Sequence, residues 1–213
     1  MQFRDRHEAG KALAEALSFL QGRDDVVILA IPRGGVIVGY EIAKALSLPL
    51  DIYITRKIGA PYNPELALGA VASDGSFVLD QDLVQRLNVP SAHIEQERAR
   101  QRQEIDRRLA KYRGTSAELD LAGKTVVLVD DGVATGSTVL AAIQALKRKP
   151  LAELILAIPV GPPEAIEALR AKVDRMVCLA TPERFWAVGA FYLVFDQTSD
   201  DTVVELLEQA QEE

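Results

Sequence analysis

Apolar residues follow two alternating rhythms along this chain. Val26 to Ile31, Leu50 to Ile54, Val126 to Val129, Leu154 to Val160 and Met176 to Ala180 are short apolar runs with almost no polar face. Such runs predict strands covered on both sides. Between them, apolar positions recur three and four apart: Ala9, Leu13, Ala16, Leu17 and Leu20 within Arg6 to Leu20, then Val38, Ile42, Ala43 and Leu46 within Val36 to Leu46. That spacing predicts helices, with others over Thr138 to Arg148, Glu164 to Lys172 and Val203 to Glu213. The alternation implies an α/β fold with a doubly wound, mainly parallel sheet flanked by helices. Its ligand crevice is expected beyond the carboxyl ends of the strands.

Three stretches depart from this rhythm. Ile58 to Pro64 contains Gly59, Pro61, Asn63 and Pro64 and reads as a loop. It leads to a hairpin, Ala67 to Ala72 and Ser76 to Leu79 about Ser73-Asp74-Gly75. Ser91 to Arg113 reads as a long helix with Ser91 as N-cap and Gly114 as stop. Its apolar residues, Ile94, Ile105, Leu109 and Tyr112, are sparse, so most of its surface is expected to be wet or to meet a polar partner. Thr181 to Ser199 holds the single Trp and three of the six Phe; such clusters usually serve as core.

The 213 residues fit one domain, and 48% hydrophobic residues are enough for a sizeable core. A net charge of -7 argues against a general nucleic-acid binder. The lone cysteine, Cys178, lies in an apolar run and excludes an internal disulfide. His7 and His93 are far apart, so neither a zinc site nor a histidine base is expected. The N-terminus lacks a signal-like apolar segment, and no apolar run approaches the ~20 residues of a membrane span. A soluble cytoplasmic protein is expected, with neither nucleic acid nor membrane as partner.

Candidate chemistry is densest at VVLVDDGVATGST, Val126 to Thr138, where a strand ends in two acids and a Gly, Thr and Ser loop enters a helix. Gly132 and Gly136 permit tight turns, the unpaired amides of the helix start point outward, and Thr135, Ser137 and Thr138 add hydroxyls. A phosphate monoester suits that loop. Asp130 and Asp131 would repel the same phosphate, so they are assigned to sugar hydroxyls or to the neighbourhood of a magnesium ion. A P-loop is excluded, because the glycines stand one residue too close and Ser137 occupies the lysine position. A dinucleotide fingerprint is excluded by the Asp pair directly after the strand. A second anion site follows the first strand: Gly34-Gly35 allows close approach of backbone amides, and Arg33 supplies a fork for phosphate oxygens. Arg56 and Lys57, at the end of the Leu50 to Ile54 strand, are further cations suited to phosphate.

Asp130 to Thr138 resembles the phosphoribosyl pyrophosphate (PRPP) binding motif of type I phosphoribosyltransferases, and from about Val26 to Asp201 the chain resembles a little-characterised group of that family. The resemblance implies that Asp130 and Asp131 hold the ribose hydroxyls, near a magnesium ion directly or through water. It places the 5'-phosphate on Val133, Ala134, Thr135, Gly136, Ser137 and Thr138, and the pyrophosphate on Arg33, Gly34 and Gly35. It also implies a mobile lid after the Leu50 to Ile54 strand. Arg56 and Lys57 there would contact pyrophosphate, with Tyr62 and Glu65 as lid residues of unassigned role. Residues 181–199 would form a hood over the acceptor base, where Phe185 or Trp186 stacks and Asp196 makes a polar contact. Residues 80–116 would be a helical insertion, a candidate oligomer contact.

The expected activity is magnesium-assisted transfer of the phosphoribosyl group from PRPP to a nitrogen acceptor, with release of pyrophosphate. Leu179 and Ala180 stand where 6-oxopurine enzymes usually place a lysine, and Ala134 where they place an aspartate; both departures weigh against such a base. The competing reading is a non-catalytic sensor of PRPP or nucleotide. A receiver-like phosphoacceptor domain ranks last, since it leaves the Ala134 to Thr138 loop unexplained.

Overall fold

The computed structural model describes residues 1–114 and 120–212; the side chain of Glu65, the last two residues of the expected 80–116 insertion and residue 213 lie outside the described residues. Its main sheet is parallel throughout. Strands β1 (Val26–Ala30), β2 (Leu50–Ile52), β6 (Thr125–Val129), β7 (Glu153–Val160) and β8 (Arg175–Ala180) lie in the order β2-β1-β6-β7-β8. Continuous apolar runs produce this arrangement where both faces are covered, as in β1, β6 and β7; the edge strand β8 departs from that expectation, with none of its residues fully buried. Val127 and Val129 of β6 pack with α1 (Arg6–Ala16), α2 (Gly34–Leu46) and α7 (Asp200–Glu212), while Val126 and Leu128 pack with α5 (Ser137–Leu146) and α6 (Pro163–Arg170).

The chain leaves β1 toward β2 on one side and returns on the other at β6, so the strand order reverses between β1 and β6. That switch point is where α/β sheets open a crevice. Ala30 stands level with Val129, and the Ile31 amide donates to the Val129 carbonyl at 2.8 Å. The two strand ends, and the loops leaving them, are therefore locked side by side.

A second, antiparallel sheet comprises β3 (Thr55–Ala60), β4 (Asn63–Ala72) and β5 (Phe77–Leu79). It corrects the expected loop over Ile58 to Pro64, most of which is a hairpin. Gly59 and Pro64 are tolerated because the register shifts on both sides of Gly59, and a Cβ on Gly59 would come within 2.8 Å of Pro64 Cα. The expected strand Leu50 to Ile54 stops at Ile52 as β2, so Thr55, Arg56 and Lys57 open β3. After a short α3 (Gln81–Arg86), α4 (Ser91–Arg113) runs as expected to Gly114, whose φ is 70°. Pro90, not Ser91, is its N-cap, with no side-chain capping bond. Ile94, Ile105, Leu109 and Tyr112 are buried, and the helix end is fastened to the sheet edge by Arg113 Nε and Asp51 at 2.8 Å. Cys178 is half-buried, with its thiol directed at the Ala180 carbonyl.

Candidate active site

The two acids sit at the end of β6, directly against the start of α2. A Cβ on Gly34 would fall 1.9 Å from Asp131 Oδ2, and one on Gly35 would lie 3.0 Å from the Asp130 Cα and the Val129 carbonyl. The glycine pair therefore admits the acids as well as freeing backbone amides. The Pro32–Arg33 peptide bond is cis, and the glycines form the first turn of α2.

Asp131 is held from two directions. Arg6 Nε donates to its Oδ2 at 2.6 Å, and the Tyr192 hydroxyl donates to its carbonyl at 2.6 Å. Arg6 also donates through Nη1 to the Asp196 carbonyl at 2.9 Å and lies 3.8 Å from the Phe195 ring centre. Asp130 Oδ1 accepts from the Asp131 amide at 2.8 Å. One oxygen of each carboxylate is thus engaged, and among the described residues the other has no hydrogen-bond donor. Burial and then the adjacent Asp131 push Asp130 well above the ordinary carboxylate range; burial raises Asp131 too, with Arg6 pulling against it.

The following loop keeps its polar atoms outward. Ala134, Thr135, Ser137 and Thr138 are exposed, Thr135 and Ser137 share a hydroxyl hydrogen bond of 2.9 Å, and Gly136 takes φ 78° as N-cap of α5. Val133 lies beneath the loop, with its side chain buried and its amide donating to the Val160 carbonyl at 2.9 Å.

Thr135, Ser137 and Thr138 share a cleft of about 1000 Å³ with Thr55, Arg56 and Lys57. The structure therefore brings the loop expected to hold phosphate and the β3 cations together. Arg33 is not in that lining; its Nη1 stands 3.7 Å from Asp200, which also accepts from Lys111 at 2.7 Å and from the Tyr112 hydroxyl at 2.6 Å. Tyr62, at the tip of the β3–β4 hairpin, is fully exposed.

In the 181–199 segment, Phe185 stacks on Phe191 at 5.2 Å and Trp186 is 89% exposed. Asp196 contributes its backbone carbonyl to Arg6. Three residues to which the sequence assigned no role, Arg6, Tyr192 and Phe195, fasten this segment to the acid pair. One signal for Arg6 was available: it falls in phase with Ala9 and Leu13, a guanidinium on the buried stripe of a helix.

Among the described residues no group of three or more His, Cys, Asp or Glu could hold a metal ion, and no helix is long and apolar enough to cross a membrane. The free carboxylate oxygens of Asp130 and Asp131 are hard donors that fit magnesium arriving with substrate phosphates and water, a mode that needs only one or two protein carboxylates.

Comparison with known proteins gives concordant matches. A family model for the phosphoribosyl transferase domain matches residues 2–196. Two Mycobacterium tuberculosis proteins, from strains CDC 1551 / Oshkosh and ATCC 25618 / H37Rv, are provisionally named phosphoribosyl transferases. Each is 43% identical over 208 residues, covering 98% of this chain and 47% of its own length. The chain thus spans about half the length of these curated relatives. The crystal structure of TT1426 from Thermus thermophilus is 42% identical and superposes with a TM-score of 0.87, covering 98% of this chain and 99% of that one.

Proposed function

Because the chain belongs to the phosphoribosyl transferase domain family, we propose that it binds PRPP with magnesium and transfers the phosphoribosyl group to a nitrogen acceptor of the nucleobase class, releasing pyrophosphate. The observation that carries this reading is the packing of Gly34-Gly35 onto Asp130 and Asp131. Close approach of that glycine backbone to the acid pair, with the Ala134 to Thr138 loop continuing from it, supports reading the two as an anion site beside a diol site.

In this reading the free oxygens of Asp130 and Asp131 accept from the ribose hydroxyls and fix the sugar. Amides and hydroxyls from Ala134 to Thr138 hold the 5'-phosphate, with Val133 supporting the loop from below. Gly34 and Gly35, with Arg33, Arg56 and Lys57, face the pyrophosphate. Magnesium, when bound, supplies positive charge to the departing pyrophosphate. The acceptor nitrogen forms its bond to the anomeric carbon as the bond from that carbon to pyrophosphate oxygen breaks, and the acceptor proton passes to solvent. Positive charge develops on the sugar at the transition state, so positioning and electrostatics carry the rate. No protein nucleophile is needed.

Residues 1–213 act as one domain in this reading, with 80–116 as an insertion and 181–199 as a hood where Phe185, Trp186 and Asp196 frame the acceptor. The β3–β4 hairpin, with Tyr62 at its tip, closes as a lid. Cytoplasmic location and self-association through the insertion belong to the same proposal. The test is magnesium-dependent pyrophosphate release from PRPP across purines, pyrimidines and other nitrogen acceptors, with PRPP affinity measured in parallel. Release with one acceptor establishes transfer; tight binding without release from any of them points to the sensor reading.

A further inference from the structure

Helix α4 buries five residues: four are Ile94, Ile105, Leu109 and Tyr112, and the fifth is Gln101, 6% exposed. A buried glutamine on an otherwise wet helix needs partners, and Gln101 has them in the cleft. Its Oε1 accepts from Arg56 Nε at 2.9 Å, and its Nε2 donates to Glu97 Oε2 at 3.4 Å. Glu97 in turn holds Arg100 at 2.7 Å. Glu97, Arg100 and Gln101 line the same cleft as Arg56, Lys57, Thr135, Ser137 and Thr138.

Arg56 forms no ion pair among the described residues. Burial is the largest influence against its charged form, Arg108 and, less strongly, Arg100 add to it, and Glu104 opposes them. A neutral amide on Nε fixes the plane of a guanidinium without cancelling its charge, and it leaves the terminal nitrogens available for a bidentate anion. A glutamate at the same place would pair with the arginine and satisfy it. Leaving a guanidinium half-buried among other arginines is costly unless an anion completes the site.

We propose that Gln101 is a positioning residue that presents Arg56, with Arg100 beside it, to the pyrophosphate end of the substrate, so that α4 forms one wall of the diphosphate site. The inference rests on the phosphoribosyl-transfer reading. It gives α4 a role within the site, in addition to its packing on the sheet edge.

The test is calorimetric binding of PRPP, inorganic pyrophosphate and ribose 5-phosphate, with magnesium, to the unaltered chain, to Gln101→Glu and to Gln101→Met. Gln101→Glu keeps the size and the acceptor while neutralising Arg56. It is expected to weaken PRPP and pyrophosphate by about tenfold or more and to leave ribose 5-phosphate unchanged, while loss of the donor to Glu97, which then faces a second carboxylate, lowers the unfolding temperature. Gln101→Met removes the acceptor without adding charge and is expected to weaken the same two ligands less, which keeps the inference testable should the glutamate variant not fold. A glutamine that only supports the helix would leave all three affinities unchanged in Gln101→Glu, and that result overturns the inference while the transfer reading stands. Failure of the unaltered chain to bind PRPP would overturn both.

Discussion

Arg6 and Asp131, 125 residues apart in the chain, meet at 2.6 Å with 10% and 16% of their side chains exposed. The contact joins the first turn of α1 to the acid pair, and through the Asp196 carbonyl it reaches the aromatic segment above. Arg6→Ala leaves Asp131 beside Asp130 with no cation. Removing one partner of a buried pair is expected to lower unfolding stability by about 3 kcal/mol, measured in urea. Arg6→Lys keeps the charge but loses the fork that serves Asp131 and Asp196 together, so its stability should fall between those of Arg6→Ala and the unaltered chain.

Gly34 is expected to tolerate no side chain. An alanine Cβ would stand 1.9 Å from Asp131 Oδ2 and 2.8 Å from Arg6 Nε, so the acid or the helix start must move. Gly34→Ala should cost about 1–3 kcal/mol of stability and weaken PRPP binding. Wild-type affinity in that variant would show that α2 can shift away without consequence for the site.

Tyr192→Phe removes only the hydroxyl that donates to the Asp131 carbonyl. The ring keeps its contacts with Phe3 at 5.6 Å and Phe195 at 5.0 Å. A loss of about 1 kcal/mol is expected in urea unfolding, with the 181–199 segment becoming more susceptible to protease than the sheet.

Hydrogen bonds from Lys111 and then Tyr112 hold Asp200 at about 2, below its ordinary value of 3.8. A carboxylate whose folded value is depressed contributes its stabilisation fully above the unfolded value and loses it as pH falls through the folded one. The stability difference between the unaltered chain and Asp200→Asn should therefore be constant above about pH 5 and shrink from about pH 4 toward 2. Urea midpoints measured across that range check it; a difference that grows on acidification would contradict the assignment.

The sheet and both glycine-bearing strand ends were legible because buried parallel strands leave unbroken apolar runs and the chemistry gathers where those runs stop. Asp130, Asp131, Gly34 and Gly35 could be singled out from local pattern alone. Arg6 could not be paired with Asp131 that way, since nothing local announces a contact across 125 residues. The β3–β4 hairpin was obscured by Gly59 and Pro64, which read as breakers until the register slip between their strands is seen. In the aromatic segment composition showed the residues but not their partners. Phe185 pairs with Phe191, Tyr192 with Phe195, and Asp196 acts through its backbone.

Calorimetric titration of PRPP with magnesium into the unaltered chain and into the double variant Asp130→Asn, Asp131→Asn, with thermal unfolding of both, bears most directly on the acid pair as the ribose site. Binding by the unaltered chain, with no detectable heat from a double variant that unfolds as a cooperative domain, is the expected result. Equal affinity in the two would contradict the assignment of the acids to the ribose and, with it, the proposed placement of PRPP.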